Sequence, residues 1–599
     1  MSNYSVPVEA RKLFFDGIIH NPLHSSLNLP PEIEEAASFV HYVGGHHPVV
    51  PVIWRFAEGI SAMKGFQASM LNLLLKRKYG LDFQRIEINT DHATLFITAV
   101  LLSSIDPNGE NVTIHDQPNL YKYIATEQKS GVLSGTKYQT ACTNIYRTKE
   151  GRFFYLHGNL NPAITQSALG LPTDSCAELS MEEAKSMYAD KVSQLTSDEL
   201  EYLMNDQNRQ CGTTCLSPVE YQNSVHGRAN AHVGLHEIHH IPNENQRPTW
   251  WNDKGTHSLA DGPLRPLKGL KVVELSRIIA GPTVSRELAE LGASVMRITS
   301  PNVPDTNDLI IDLGWGKWNA HLDLRKPEDR ETLKELIMEA DVVVDGYRPG
   351  VLAKYGFGKE DVLEMTRGRE RGIIIARVNC YGWNGPFIGR GGWVQISDAN
   401  CGMSHEYGKA LGVDGPVGPV FPSADYSTGV AGATGVLQAI IQRGAKGGSY
   451  VVDVALNYYC QWMINSCSTY PPEIWRSLRA SYPTLNFEPS DSMMFKMATF
   501  TLRLMQQQSD SDWDHIPDQD SDHDGQSMGI SALRGGKRIF NPEFFEVREN
   551  KAIGKEVKRV KPILKFVDGG VELGYNVGFR GNGVDKARWP EDLMVEVVQ

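Results

Sequence analysis

Asp425 is the residue whose type and surroundings most clearly suggest chemistry. It lies in the segment Ser423-Ala-Asp-Tyr-Ser-Thr-Gly429, directly after Phe421-Pro422 and before a helix predicted to begin near Ser427. An acid at this place commonly caps a helix or interacts favourably with its dipole, which is the simpler interpretation. A carboxylate there can also attack a thioester carbonyl. The helix N-terminus is expected to keep Asp425 ionised at neutral pH.

Length and composition restrict the class of protein. The chain has 599 residues, so two or more domains are expected. Hydrophobic residues make up 41% and charged residues 22%, values typical of a soluble globular protein. The formal charge of -12 argues against nucleic-acid and anionic-membrane partners. A phosphate-rich ligand would therefore need a local basic patch.

Targeting signals are not evident in the sequence. Residues 1–5 lack the layout of a secretion signal, and no apolar run is long enough to span a membrane. The C-terminal Glu596-Val-Val-Gln599 is not a peroxisomal address. These features predict a cytoplasmic protein, with mitochondrial and peroxisomal locations left open.

Cysteine, histidine and aspartate patterns give no support for a metal site. The 8 cysteines are spaced irregularly, which predicts free thiols in a reducing compartment. Cys211 and Cys215 precede five histidines, but the spacing matches no standard zinc pattern; these are His226, His232, His236, His239 and His240. Asp520–Gly525 is similar to the start of a calcium loop, but Ser531 occupies the twelfth position, where glutamate is required.

The chain divides into four segments by pattern. Residues 1–245 mix helices and strands, and residues 246–266 form a turn-rich linker. Residues 267–487 alternate short apolar strands with amphipathic helices. Residues 488–599 are predicted to be irregular, with an acidic loop over Gln506–Gln526.

The alternating segment predicts a doubly wound parallel α/β sheet. The predicted strands are Lys271–Leu275, Ser294–Ile298, Asp341–Asp345, Gly372–Ala376 and Tyr450–Ala455. The predicted helices are Thr283–Leu291, Lys326–Met338 and Gly429–Arg443. The first strand-to-helix turn, Arg277–Pro282, lacks Gly-x-Gly-x-x-Gly, so NAD binding has no support.

The two halves of the chain contain a similar helix–strand sequence pattern. Residues 59–77 and 429–443 are both small-residue helices with a basic end, and each leads into a strand that carries one acid. In this register Asp425 falls on Arg55, so the first copy lacks the acid. The N-terminal segment is therefore interpreted as a degenerate half-repeat, and two unrelated helices remain the alternative.

Eight short motifs, in order, resemble the class III (CaiB/BaiF) coenzyme A transferases, a family that includes formyl-CoA transferase and α-methylacyl-CoA racemase. The motifs are Leu267–Leu275, Ala280–Pro282, Glu290–Val295, Leu322–Pro327, Ala340–Val344, Arg348–Leu352, Tyr355–Phe357 and Ala424–Gly429. The resemblance implies an α/β fold, with a doubly wound CoA-binding domain and a smaller α+β domain near Gly151–Asn159. It also implies CoA-transferase activity on acyl-CoA and a free carboxylic acid, with no tightly bound cofactor.

The resemblance assigns Asp425 as the nucleophile, which forms an aspartyl anhydride and then an aspartyl-CoA thioester. It implies that seven positions contact CoA; these are Arg277, Ile278, Ala280, Leu322, Arg325, Lys354 and Tyr355. Arg325 and Lys354 are the preferred phosphate ligands. Ser300 occupies a position where the family often has a base, so that contact is not expected.

The residues predicted to line the substrate pocket are Trp393, Gly392 and Gly429. Trp393 occupies the position of the racemase histidine and cannot shuttle a proton, which favours transfer over racemisation. It could form an aromatic wall or simply pack in the core. Gly429 and Gly391-Gly392 could offer backbone donors to a tetrahedral intermediate or merely form turns.

Two departures from the family leave other functions open. Val394 replaces an acid found beside the active carboxylate of formyl-CoA transferase, and Arg534–Lys537 is too short to match its glycine-rich loop. A racemase-like isomerase and a catalytically degraded CoA-binding scaffold are the alternatives. Family members form interlocked dimers, so a homodimer or an intrachain pseudo-dimer is expected, with one active site per chain.

Overall fold

A computed structural model describes residues 4–124, 135–173, 176, 178–252, 263–483, 485–509 and 538–596. Within these ranges, no helix is long and apolar enough to cross a membrane. The strands are β1 Val40–Val43, β2 Ile86–Asn89, β3 Ser104–Ile105, β4 Val112–Thr113, β5 Asn144–Arg147, β6 Phe153–His157, β7 Cys211–Thr214, β8 Glu237–Ile241, β9 Lys271–Leu275, β10 Ser294–Thr299, β11 Lys317–His321, β12 Val342–Asp345, β13 Ile374–Asn379, β14 Ser449–Ala455, β15 Phe545–Asn550, β16 Lys555–Val560 and β17 Lys565–Phe566.

The helices vary from single turns to 24 residues. They are α1 Val6–Phe14, α2 Ile33–Ser38, α3 Phe56–Tyr79, α4 Thr90–Phe96, α5 Ala99–Leu102, α6 Gln117–Tyr123, α7 Lys137–Ala141, α8 Pro162–Ala168, α9 Met181–Val192, α10 Ser197–Glu201, α11 Pro218–Asn223, α12 Val225–Asn230, α13 Ala280–Glu290, α14 Ile310–Leu313, α15 Pro327–Glu339, α16 Lys359–Met365, α17 Val394–Cys401, α18 Met403–Leu411, α19 Ser423–Lys446, α20 Leu456–Trp462, α21 Pro472–Ala480 and α22 Met493–Ser509.

A seven-stranded sheet in the order β11-β10-β9-β12-β13-β14-β8 holds the strands predicted in residues 267–487. Six of these strands are parallel, and β8 pairs antiparallel with β14. Neighbouring valines on β9 belong to different buried clusters: Val272 packs with residues of α13 and α19, whereas Val273 packs with residues of α15 and α16. Both faces are therefore covered, which explains the continuous apolar strands. The predicted α/β class is confirmed.

A smaller strand–helix–strand unit resembles the one that contains α19. β1 and β2 are parallel strands joined by the 24-residue helix α3, and β13 and β14 are parallel strands separated by the 24-residue helix α19. Arg55, the counterpart of Asp425, is the residue before α3 and forms an ion pair with Glu9 at 2.9 Å. The common origin of the two units stays a prediction.

The segments predicted from the sequence contribute strands to the same sheets and residues to the same core. β8 comes from the N-terminal segment and completes the edge of the large sheet. β16 pairs with β3, and β17 pairs with β2, so the C-terminal segment extends two N-terminal sheets. The largest cluster of buried apolar residues accordingly runs from Leu13 to Phe579. Segments distant in the chain therefore depend on one another for burial.

Two expectations about the connecting regions need correction. Gln246, in the predicted linker, is buried; it donates to the Thr366 carbonyl at 3.1 Å and accepts from Ser449 at 2.8 Å. This part of the linker is thus fixed against the sheet edge. The C-terminal segment is not irregular, because it forms α22 and β15–β17. The calcium-like motif and most of the acidic loop lie outside the described residues, as does Arg534–Lys537.

A buried ion pair joins the two halves. The Lys64 ammonium on α3 binds the Glu287 carboxylate on α13, and Gln67 Nε2 donates to the same oxygen at 2.9 Å. Lys64 and Glu287 are both at most 1% exposed. Glu290, one turn along α13, is also buried, and the charge of Lys64 offsets repulsion between the two carboxylates. Removal of one partner would leave an uncompensated charge in the core.

We expect Glu287→Gln to lower the free energy of unfolding by about 3–5 kcal/mol, since Lys64 would stay buried without the carboxylate that its ammonium group contacts directly. Urea unfolding followed by circular dichroism measures the change. As a matched control, Glu331→Gln removes an exposed pair with Lys334 (3.1 Å) and should change the value by less than about 0.5 kcal/mol. Equal unfolding midpoints for wild type and Glu287→Gln would contradict the role assigned to this pair.

Candidate active site

Asp425 occupies the first turn of α19, which begins at Ser423 rather than at the predicted Ser427. The helix is enclosed along nearly its whole length by α13, α3 and β14, and most of its residues are buried. The Asp425 side chain is 8% exposed. Within the described part of the chain, no donor forms a hydrogen bond with its carboxyl group. Asp425 is therefore not a satisfied structural carboxylate.

Burial determines the acidity of this group. It raises the pKa of Asp425 from 3.8 to about 7. The expectation that the helix N-terminus keeps Asp425 ionised at neutral pH is therefore wrong, because desolvation disfavours the charged form. At pH 7 the group is close to half ionised, and its ionised form is a more basic, stronger nucleophile than an exposed carboxylate.

Asp425 lies where two cavities meet. The first, which we call the strand-end groove, has a volume of about 460 Å³ and is lined by residues 277–281, 346–349 and 378–380. These residues end or follow β9, β12 and β13, so the groove lies at the carboxyl edge of the parallel sheet, where α/β proteins commonly bind ligands. The second, the methionine cavity, has a volume of about 330 Å³ and includes Met493, Met494 and Met497.

A third cavity extends the strand-end groove away from Asp425. This outer pocket has a volume of about 280 Å³ and shares Val303, Tyr347 and Val351 with the groove. Leu322, Arg325 and Tyr355 line it. The groove and the outer pocket are therefore neighbouring cavities that share one wall.

The wall between the two cavities comes from both halves of the chain. Trp393, the residue before α17, stacks on His157 with ring centroids 5.4 Å apart. Its indole Nε1–H donates to Asn159 Oδ1 at 2.7 Å. Trp393 and Asn159 line both cavities together with Asp425. Burial lowers the pKa of His157 to about 3, so this imidazole is neutral.

Four arginines line the strand-end groove, and one of them, Arg390, is paired with Glu201 at 2.6 Å. The other three give the groove its positive lining: Arg209, Arg277 and Arg348. Among the described residues, none of the three forms an ion pair with a carboxylate. Arg348 is fixed by neutral partners, since its Nη1 donates to the Arg209 carbonyl at 2.7 Å and its Nη2 lies 3.5 Å from Cys211 Sγ. Their charges are thus available to an anionic ligand.

The start of α13 adds backbone donors to the same groove. Ala280 and Gly281 are its first two residues, and no side chain in the described ranges caps this end. Free N–H groups and the helix dipole favour an anion here. Ile278, just before them, has φ of +72°, a left-handed conformation that costs a β-branched residue free energy. The strained turn holds Ile278 in the wall shared by both cavities.

The structure brings together most of the residues predicted from the sequence. Arg277, Ile278, Ala280, Gly392 and Trp393 line the strand-end groove with Asp425. Leu322, Arg325 and Tyr355 line the outer pocket, as does Ser300.

Two predicted residues lie elsewhere. Lys354 is exposed on the turn Leu352–Tyr355 and lines none of the three cavities. Gly429 lies inside α19, where a Cβ would come within 2.3 Å of the Thr283 Cβ, so its small size serves helix packing rather than the pocket. Arg325 forms a bidentate pair with Asp323 at 2.7–2.8 Å, which makes it a weaker phosphate candidate than Arg348.

Other residues of the site were difficult to predict from the sequence. Arg348 belongs to a family-like motif but was not singled out as a ligand. His157 ends the largely buried strand β6, and Asn159 lies two residues beyond it, a position that could have indicated both. The methionines of α22 were missed because their segment was expected to be irregular.

The residues considered for zinc do not meet. Cys211 lines the groove, whereas His226 bonds to the Tyr381 carbonyl at 2.8 Å and His236 to Gln438 at 3.0 Å. Within the described ranges, no three His, Cys, Asp or Glu side chains are arranged to hold a metal ion.

Several known proteins are similar to this chain in sequence. The sequence profile of CoA-transferase family III matches residues 267–477. Acetyl-coenzyme A transferase nodX of Hypoxylon pulicicidum is 42% identical over 595 residues, which cover 99% of this chain and 95% of that protein. An acyl-CoA transferase of Gibberella moniliformis is 31% identical and covers 71% of this chain and 74% of its own length. A crystallised CaiB/BaiF family protein from Brucella suis is 29% identical over 33% of this chain and 55% of that chain, with a TM-score of 0.29.

We expect Asp425→Asn to stabilise the folded protein in a pH-dependent manner. Because the pKa of Asp425 rises from 3.8 to about 7 on folding, the folded state binds the proton more tightly. Wild-type stability is therefore lost as pH rises from about 4 to about 7, whereas the neutral amide lacks this dependence. The advantage of the variant should grow across that window to at most ~4 kcal/mol.

Urea unfolding at pH 5, 6, 7 and 8 measures this difference. Asp198→Asn is the matched control, because Asp198 also lies in a first helical turn, that of α10, but is exposed. A gap between wild type and Asp425→Asn that stays constant from pH 5 to pH 8 would contradict the effect of burial.

Proposed function

Because the chain belongs to CoA-transferase family III, it is a CoA-transferase, and we propose that it works through a covalent bond between the acyl group and Asp425. The observation that carries the proposal is the position of one buried carboxyl group where a cationic groove meets an apolar cavity. CoA is an extended anionic thiol, and its acyl group is often apolar. A thioester spanning both cavities would place its carbonyl carbon at Asp425.

In this proposal the strand-end groove binds the pantetheine and pyrophosphate of CoA. The guanidinium groups of Arg277 and Arg348, with the N–H groups of Ala280 and Gly281, supply donors for phosphate oxygens. The outer pocket, with Leu322 and Tyr355, accepts the adenosine end. The thiol end then lies beside Trp393.

The covalent steps exchange one thioester for another. The Asp425 carboxylate attacks the acyl-CoA carbonyl, the C–S bond of the tetrahedral adduct breaks, and CoA leaves as a thiolate, which gives a mixed anhydride of Asp425 and the acyl group. The thiolate attacks the aspartyl carbonyl, which releases the first acid as a carboxylate and leaves aspartyl-CoA. A second carboxylate attacks aspartyl-CoA and expels the thiolate, which then attacks the new acyl carbonyl. The products are a new acyl-CoA and free Asp425.

Each tetrahedral intermediate needs hydrogen-bond donors for its oxyanion. We assign this role to the backbone at Gly391-Gly392, because both glycines line the groove with Asp425. A side chain at Gly392 would clash with Cys380 Sγ at 2.3 Å, so the chain approaches the site closely here. Gly429 is excluded from this role by its place inside α19.

The alternatives raised by the sequence have less support. A racemase needs a base near the α-carbon, yet Trp393 forms the wall there, and the pKa of His157, about 3, makes it a poor base at neutral pH. A scaffold without activity does not account for a buried carboxyl group free of hydrogen bonds among the described residues. We propose that the N-terminal segment completes the site through Asn159, as an intrachain pseudo-dimer requires. The choice between a pseudo-dimer and a homodimer stays a prediction.

We expect Arg348→Gln to weaken CoA binding about 10–100-fold, because it removes a charge-assisted bond from a guanidinium that has no carboxylate partner in the described structure. Arg325→Gln is the matched control, since Arg325 already pairs with Asp323, and its effect should stay below about threefold. Isothermal titration with CoA measures both. A larger loss for Arg325→Gln than for Arg348→Gln would reverse the assignment of the phosphate ligand.

Asp425→Ala should lower kcat by at least ~10⁴-fold, because the covalent route is lost. Incubation of the wild type with acetyl-CoA and hydroxylamine should convert Asp425 to a hydroxamate, detected by mass spectrometry of the peptide. Wild type treated without acetyl-CoA is the control, as is the Asp425→Ala variant. Full transferase activity in Asp425→Ala, or a hydroxamate found only on another residue, would contradict the covalent role of Asp425.

A further inference from the structure

We propose that the methionine cavity selects the acyl group, and that it admits apolar monocarboxylic acyl chains and rejects dicarboxylic ones. This inference rests on the proposed role of Asp425, because that residue marks where the thioester carbonyl must lie. It deepens the proposed function by naming the substrate class. It also gives α22 a role, that of the specificity-determining helix.

The lining of the cavity is mainly apolar. Besides the three methionines of α22, its wall includes Val100, Leu101, Ile114 and Leu309. At ~30 Å³ for a group the size of a water molecule, a volume of 330 Å³ holds roughly ten methylene-sized groups. An acyl chain of medium length therefore fits, with burial of each methylene favouring binding.

The charges of the cavity lining disfavour a second carboxylate on the acyl group. Among the described residues, no lysine or arginine lines the cavity, and Asp425 is the only acid there. His157, whose pKa is about 3, is neutral and offers no positive charge. The distal carboxylate of a dicarboxylic acyl group would be desolvated without a counter-ion and would be repelled by Asp425. The remaining polar groups, such as Gln139 and Thr143, can pair only with neutral substituents.

The methionines are fixed by contacts on both sides. Phe500 of α22 packs edge-to-face on Phe421, just before α19, with centroids 5.2 Å apart. At the other end, Lys496 Nζ donates to the Asp491 carbonyl at 2.6 Å, and Asp491 pairs with Lys185 of α9 at 3.2 Å. The N-terminal half of α22 is therefore held between Phe421, just before α19, and Lys185 of α9.

The wall is continuous from the nucleophile to α22. Gln395 Nε2 lies 3.9 Å from Met493 Sδ, and Gln395 is two residues from Trp393. Methionine side chains are flexible and polarisable, so this surface can adapt to acyl chains of different shape. α22 lies beyond residues 267–477, the part that the family profile matches. Acyl selection is thus carried by a different part of the chain from the CoA-binding sheet.

The first test compares acyl donors with acetate as the common acceptor. We expect kcat/KM for octanoyl-CoA to exceed that for glutaryl-CoA by at least ~100-fold, because the free carboxylate of the glutaryl group would be buried unpaired. Equal values, or a preference for glutaryl-CoA, would overturn the inference and leave the transferase assignment intact.

Substitutions in α22 test whether this helix determines the selectivity for the acyl group. Met493→Ala should lower the octanoyl-to-acetyl ratio of kcat/KM about tenfold, since it removes apolar contacts that a long chain makes and a short one does not. Met497→Arg should raise the glutaryl-to-octanoyl ratio at least ~30-fold by supplying a counter-ion. Met338→Ala, on the far helix α15 and 39% exposed, is the control and should leave both ratios unchanged. Unchanged ratios in both α22 variants would overturn the inference.

Binding of non-reactive thioethers separates this inference from the covalent mechanism. S-octyl-CoA should bind the wild type at least ~30-fold more tightly than CoA, whereas S-(4-carboxybutyl)-CoA should show no gain. This result would support the cavity even if no aspartyl intermediate were trapped. Equal affinities of S-octyl-CoA and CoA would overturn the cavity assignment even if Asp425 were trapped.

Discussion

The close packing of α19 against α13 is the constraint on which the site depends. A Cβ at Gly429 would come within 2.3 Å of Thr283, and one at Gly432 within 2.7 Å of Val284, so only glycine permits this separation of the helices. With α3 and β14 on its other sides, α19 is enclosed, and its first turn has a fixed position. Burial of Asp425 follows from that enclosure. The loss of hydration raises the pKa of its carboxyl group and makes it more basic.

The enclosure of α19 requires the whole chain. The N-terminal segment supplies α3 and the edge strand β8, and it supplies Asn159 in the wall beside Trp393. Because Lys64 and Glu287 neutralise each other inside the core, the two halves cannot separate without exposing apolar surface and unpairing a buried charge. The C-terminal segment adds strands to two N-terminal sheets and carries α22 to the cavity. The relative that is 42% identical matches 99% of the chain, so the same segments occur together in another protein.

Two environments of opposite character meet at one carboxyl group. On one side, arginines and a helix start face a groove at the carboxyl edge of the parallel sheet, where backbone geometry places free N–H groups. On the other side, a cavity with no lysine or arginine among its described residues is lined by methionines and aliphatic side chains. Their shared wall includes Ile278 in a strained conformation. A ligand with an anionic body and an apolar end matches this arrangement.

The sequence by itself predicted five of the seven strands of the large sheet, much of α13, α15 and α19, and Asp425 as the candidate nucleophile, because local periodicity and short motifs depend on neighbours in the chain. It could not determine the start of α19 to within a turn, the packing role of Gly429, or the helix in residues 493–509, since these depend on contacts with distant segments. Only the tertiary structure decided the acidity of Asp425. A helix start favours the ionised form, but burial by segments hundreds of residues apart removes water and disfavours it, and burial has the larger effect.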